Sequence, residues 1–202
     1  TAISAVGAVL VDGTPLTPAT TATLSPEPNG AGWNKSDVTV TLTSTGDVIT
    51  YSASGAQTIP PTVVVGMSAT ITITAEGETT ITYFGADSAG NSEAPQDITV
   101  RLDKTAPQTA ATLDPPLPNG KDGWYTTPVE VCMAADDPLL ADGNPGSGVC
   151  ETLYQVNSGG WQPYIGCFVV GTGIWDNVVE FYSTDYANNV ETTNEVRFKI
   201  DA

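Results

Sequence analysis

The residues of this chain best equipped to hold a ligand are hard oxygen donors crowded into one turn-rich stretch: Asp136, Asp137, Asp142 and Asn144, with backbone carbonyls around them. Donors of that kind suit calcium, and binding would offset the local repulsion and stiffen the loop. The spacing matches no EF-hand, and a solvated acidic loop is the alternative. Covalent and general-base chemistry has far less to work with. The chain contains no histidine, which removes Ser-His-Asp and Cys-His arrangements and most zinc sites. It has no GxSxG, no Walker loop and no GxGxxG after a strand. Asp136 and Asp137 are neighbours on a strand end, so their side chains point apart instead of flanking a sugar. The sequence reads as non-enzymatic.

Three cysteines, Cys132, Cys150 and Cys167, lie in the second half. If Asn157-Ser158-Gly159-Gly160 is the turn of a hairpin, Cys150 and Cys167 stand opposite each other, close enough to bond. A Cys150–Cys167 disulfide and an oxidising compartment are expected, with Cys132 left odd. Three buried thiols acting as small hydrophobes are the alternative. Trp161 and Trp175, with Tyr164, are candidates for stacking on a cell-surface glycan, although core or edge packing explains them equally well. Asn34-Lys35-Ser36 fits a glycosylation acceptor.

The elements that must position these residues announce themselves as a duplication. Pro28-Asn29-Gly30, Gly32-Trp33 and Asp87-Ser88-Ala89-Gly90-Asn91 return as Pro118-Asn119-Gly120, Gly123-Trp124 and Asp185-Tyr186-Ala187-Asn188-Asn189. The offset grows from 90 to 98 residues along the repeat, so the second copy carries an insertion, placed at 136–148 after its second strand. A period of about 95 residues fits two small all-β domains in series. Alternating apolar and polar runs bounded by Gly, Pro, Asn and Asp predict strands at 20–24, 38–43, 48–54, 62–65, 69–74, 79–86 and 97–102. The second set falls at 109–113, 129–134, 149–156, 161–164, 167–170, 177–184 and 195–200. Trp33 and Trp124 are expected to cap the open sandwich ends. Gly90 and Asn188 are expected in left-handed backbone, and Asp87 and Asp185 in Asx turns. The expected boundaries are an N-terminal apolar strand at 1–19 and sandwiches at 20–104 and 105–202.

The second strand, the Ser147-Gly148-Val149 step, the hairpin from Tyr154 to Tyr164, the Asp-x-Ala-Gly-Asn turn and the closing Arg101-Leu102-Asp103-Lys104-Thr105-Ala106-Pro107 together resemble bacterial immunoglobulin-like repeat modules. Copy one departs by lacking the Ser-Gly-Val step. The resemblance implies immunoglobulin-like sandwiches that serve large secreted or surface-attached proteins as spacers or adhesive elements. The fold class expected is all-β: two tandem immunoglobulin-like β-sandwiches with an extra N-terminal strand.

A net charge of −17 over 202 residues, with 6 basic residues and no basic cluster, argues against nucleic acid and anionic membranes as partners. No stretch is apolar for long enough to suggest membrane insertion. The segment from Ala2 to Val11 is uncharged and apolar on both faces, with Ile3, Val9 and Val11 on one and Val6 and Leu10 on the other. Such a strand needs burial on both sides. It either adds to its own domain or completes a sheet in the next copy, giving a head-to-tail homopolymer. The expected function is that of an extracellular structural protein. It is read first as a pilus-like filament subunit joined through Ile3, Val6, Val9, Leu10 and Val11, and otherwise as an adhesive, glycan-binding or spacer module, with calcium as the one possible cofactor.

Overall fold

In β2 (Val38–Ser44) the side chains of Val38, Val40, Leu42 and Ser44 are buried while those between them face outward. That two-residue period is what lets a strand close one side of a core. The same logic builds β1 (Thr20–Ser25), β3 (Val48–Gly55), β4 (Ile59–Val65), β5 (Ser68–Ile73), β6 (Gly77–Ala86) and β7 (Gln96–Leu102). The computed structural model describes residues 17–141, 143–171 and 176–201, and the chain divides into two units after Asp103.

In the first unit two antiparallel sheets, β1-β2-β5 and β4-β3-β6-β7, enclose a core that includes Val40, Leu42, Ile49, Ile73, Ile81 and Leu102. The second unit repeats the plan with β8 (Gln108–Asp114), β9 (Trp124–Tyr125), β10 (Val129–Asp136), β11 (Val149–Val156), β12 (Gln162–Pro163), β13 (Phe168–Val170), β14 (Asp176–Asp185) and β15 (Asn194–Ile200). Its sheets are β13-β10-β8 and β12-β11-β14-β15-β9, around Val129, Val131, Val179, Phe181, Phe198 and Ile200. Each unit is an immunoglobulin-like sandwich. All fourteen expected strands are present, with no end moved by more than three residues.

One strand was not foreseen. β9 runs parallel to β15, pairing Lys199 with Trp124 and Ile200 with Tyr125. In the first unit the same contact shrinks to a single parallel bridge between Asn34 and Leu102. Two residues carry no readable period. The contact fixes Trp124, which is half-buried with the Lys199 ammonium 5.8 Å above its ring.

The repeated aspartates hold the last turn of each sandwich. Asp87 accepts from the backbone N–H of Ala89 and Asn91 and from the Asn91 amide, at 3.0, 2.8 and 2.7 Å. Asp185 takes the N–H and side-chain amide of Asn189 at 2.7 and 2.8 Å. Gly90 and Asn188 stand at φ +89° and +69°, the left-handed backbone expected of them.

These turns aim a glutamate two residues further on. Glu93 accepts from the N–H of Gly85 on β6 at 2.6 Å and from the N–H of Thr20 on β1 at 3.1 Å, and so bridges the two sheets. Glu191 does the same between Ser183 on β14 at 2.7 Å and Thr109 on β8 at 3.0 Å. An amide three residues later steadies each carboxylate, Gln96 at 2.9 Å and Asn194 at 3.1 Å. Gly85 leaves room for this: a Cβ there would lie 2.3 Å from the Ser44 hydroxyl and 2.5 Å from that of Thr20. In the second unit the same space is used by the Ser183 hydroxyl, bonded to Thr109 at 2.6 Å and Thr152 at 2.7 Å.

Two predictions follow from the turn and the glutamate. Glu93→Ala and Glu191→Ala each strand at least two N–H groups and remove charge-assisted bonds, so each should lower the stability of its own sandwich by about 3 kcal/mol in denaturant unfolding. The Asn91 side chain, followed by backbone amides, holds the Asp87 carboxyl below its ordinary value. A depressed folded value stabilises fully above the ordinary carboxylate range and is lost as pH falls through it. Unfolding free energy of the first sandwich should therefore decline below about pH 4, and Asp87→Asn should make that decline shallower.

Candidate functional site

The insertion loop of the second sandwich folds around one carboxylate. Asp137 turns inward at the end of β10, and its Oδ2 accepts the N–H of Gly148 at 2.5 Å. Gly146 must lack a side chain here, because a Cβ would sit 2.6 Å from Asp137 Oδ2. Gly148, at φ +88°, gives the loop its return bend. The loop is also fastened to the Asp185 turn: Ser147 Oγ accepts from Ala187 N–H at 3.1 Å and the Gly148 carbonyl from Tyr186 N–H at 3.0 Å. The first sandwich, which has only a short turn in place of the loop, keeps one counterpart, Asp47 Oδ2 accepting from Ser88 N–H at 3.1 Å.

This fastening brings Asp137 and Asp185 together, each offering a carboxylate oxygen within 4.8 Å of the other's. Asp185 is buried, only 1 % exposed. Two like charges at that distance repel by about 3 kcal/mol at an effective dielectric of 20. Hard oxygen donors in this setting fit a calcium ion, which would draw its remaining ligands from carbonyls and water.

Of the expected ligands among the described residues, only Asp137 takes part in this pair. Asp136 is exposed at the strand end, opposite Gln108 in the β8 register. Asn144 is exposed, and its carbonyl closes a turn by accepting from Leu140 N–H at 2.9 Å. Asp142 lies outside the described residues. Asp185 was read from sequence as a turn residue alone; its second neighbour is 48 positions away and no local pattern announces it.

The disulfide differs from expectation in its partner. Cys167 is bonded to Cys132, and Cys150 is free and exposed. The hairpin at Asn157 exists, but its pairing ends at Leu153 with Pro163. The chain then crosses to the other sheet, where Val131 faces Phe168 and the next pair in that register is Cys132 with Cys167, Cα atoms 4.4 Å apart. Cys150 falls instead in the bulge between Val149 and Glu151 on β11. Tyr164 supports the bridge, its hydroxyl accepting from Met133 N–H at 2.9 Å and lying 3.8 Å from Cys167 Sγ.

Trp161 is 42 % exposed and stands edge-on to Tyr182, ring centres 4.8 Å apart. Trp175 lies outside the described residues, as do Ile3, Val6, Val9, Leu10 and Val11. Asn34 is 4 % exposed and its amide donates to the Pro26 carbonyl at 3.0 Å, so the acceptor motif at Asn34 is closed to glycosylation in the folded unit.

A 430 Å³ cleft opens between β13 and the β11–β12 edge, floored by Tyr154, Val156, Phe168 and Val170. Tyr154 and Phe168 stack on each other at 4.1 Å, which uses one face of each ring.

No family model matches the chain, and no curated protein does. Solved structures similar to it include fibronectin(III)-like modules of Clostridium thermocellum CbhA, at 12 % identity and TM-score 0.36, covering 89 % of this chain and 94 % of that one. A 1.5-MDa bacterial ice-binding adhesin involved in host cell surface retention gives 12 % identity and TM-score 0.42, covering 92 % of this chain and 66 % of that one. Three N-terminal domains of the bacteriophage RB49 Highly Immunogenic Outer Capsid protein give 12 % and 0.33, covering 91 % of this chain and 58 % of that one.

Proposed function

We propose that this chain is a non-enzymatic extracellular structural segment, two immunoglobulin-like modules that serve a surface or secreted protein as spacer and adhesive element. The observation that carries the reading is how the shared residues are spent. Asn29 and Asn119, Asp87 and Asp185, Glu93 and Glu191 all hold turns or sheets in place. What differs between the copies is concentrated in the second: the insertion loop, the Cys132–Cys167 bridge and exposed Trp161. A disulfide favours an oxidising, extracellular setting.

Within this reading Asp137 and Asp185 bind calcium and fix the insertion loop, and Trp161 offers an aromatic face to an uncharged glycan. A head-to-tail filament joined through Ile3, Val6, Val9, Leu10 and Val11 is the second reading. The absence of charge and the apolar character of both faces of that segment favour it, and it requires a particle mass that rises with concentration.

Calcium tests the adhesive-module reading through stability. A ligand that binds only the folded state raises apparent stability by mass action, by about 2.7 kcal/mol at a hundredfold excess over Kd. Calorimetry should show the second sandwich stabilised by calcium and insensitive to it after Asp137→Asn. An unchanged unfolding temperature over millimolar calcium would remove calcium from the account.

A further inference from the structure

One edge of the second sandwich is cut short relative to the first. In the first, β4 sets Ile59 opposite Ala53, and Ile59 packs on the core. In the second, β12 has two residues, pairing Leu153 with Pro163 and Tyr154 with Gln162. Carried two steps further, that register sets Val156 against Gly160, in a turn whose two glycines supply no side chain. The result is the 430 Å³ cleft over Tyr154, Val156, Phe168 and Val170. Its volume falls within the range of small-molecule sites.

Two polar side chains that line this cleft are not spent on the fold. Tyr154 and Gln162 stand directly opposite each other across β11 and β12 and so share the inward face. Neither the Tyr154 hydroxyl nor the Gln162 side-chain amide is hydrogen-bonded among the described residues. Beside them Asn157 is held in place: its amide donates to Asn177 Oδ1 at 3.0 Å and its Oδ1 accepts from Val178 N–H at 2.8 Å. The stacked rings of Tyr154 and Phe168, centres 4.1 Å apart, supply a rigid apolar surface. No charged side chain lines the cleft among the described residues, in a chain that carries 23 acidic and 6 basic residues. An anion finds no cation here, and a metal ion finds no carboxylate. A hydroxyl and amides that both donate and accept, set beside an aromatic surface, match a molecule with an apolar face and a rim of hydroxyls.

We infer that the cleft seats a neutral saccharide, one ring lying against Tyr154 and Phe168 with its hydroxyls bonded to the Tyr154 hydroxyl and the Gln162 and Asn157 amides. The inference rests on the adhesive reading proposed above and gives it a second, separate sugar contact. Trp161 does not contribute to this one. It stands against Tyr182, which pairs with Leu153, the neighbour of Tyr154, and so lies on the outward face of the sheet. A neutral ligand also suits a chain of net charge −17, since its approach meets no long-range repulsion.

Solution NMR on the full chain tests this by titration with maltose, cellobiose, lactose and N,N′-diacetylchitobiose, with cyclohexanol as an apolar control that carries a single hydroxyl. At least one sugar should shift the Gln162 side-chain amide and the backbone amides of residues 154–170 saturably, with a Kd in the millimolar range. Tyr154→Phe and Gln162→Ala should each weaken that binding about fivefold or more, the loss of one hydrogen bond, while Trp161→Ala leaves it unchanged. Gln162 is exposed and Tyr154→Phe keeps the ring, so an unchanged unfolding temperature serves as the control for folding. The absence of any saturable shift in the cleft at tens of millimolar sugar would overturn the inference, as would equal shifts with cyclohexanol, which make the cleft merely apolar. Binding that survives both cleft variants and disappears with Trp161→Ala also overturns it, while leaving the adhesive reading standing.

Discussion

A carboxylate that reaches from the last turn of each sandwich to its first strand holds the two sheets together. Glu93 and Glu191 take one N–H from each sheet, at the end where the first strand enters. A two-sheet sandwich gains most of its stability from the apolar layer between the sheets, but that attraction is non-directional and would tolerate a first strand that frays. Charge-assisted bonds to defined N–H groups set register as well as affinity. The Asp87 and Asp185 turns matter because they aim these glutamates, and Gly85 and Ser183 matter because they leave or fill the space through which the side chains pass.

With the frame fixed in this way, the second sandwich can carry features absent from the first. Its insertion loop is wrapped around Asp137 by Gly146 and Gly148 and bolted to the Asp185 turn. Its shortened β13, of three residues against six in β5, is held to β10 by a covalent bridge. A disulfide closing a loop of this length restricts the unfolded chain and offsets the hydrogen bonds lost from the shorter strand. The copies share a scaffold and differ in what is fastened to it.

The strands were legible because their burial alternates with period two and their ends carry Gly, Pro, Asn or Asp. The left-handed Gly90 and Asn188 and the Asx aspartates were legible for the same local reason. The disulfide partner was not. Pairing across a hairpin is a local inference, whereas Cys167 finds Cys132 because the chain leaves one sheet after Pro163 and joins the other. The glutamate bridges were overlooked although both stand two residues after the Asp-turn asparagine; their partners on the first strand of each sandwich are 73 and 82 positions away, beyond any local pattern. The Asp137–Asp185 pair escaped in the same way, since Asp137 was read as part of the loop and Asp185 only as a turn residue.

Pulling the full chain between its ends in a single-molecule force experiment tests most directly whether these are two self-contained load-bearing modules. Two separate unfolding events are predicted. The second sandwich's release should be short by the stretch between Cys132 and Cys167, 35 residues or about 120 Å of contour, and should regain that length when the bridge is reduced. A single merged event, or release lengths indifferent to reduction, would contradict the account.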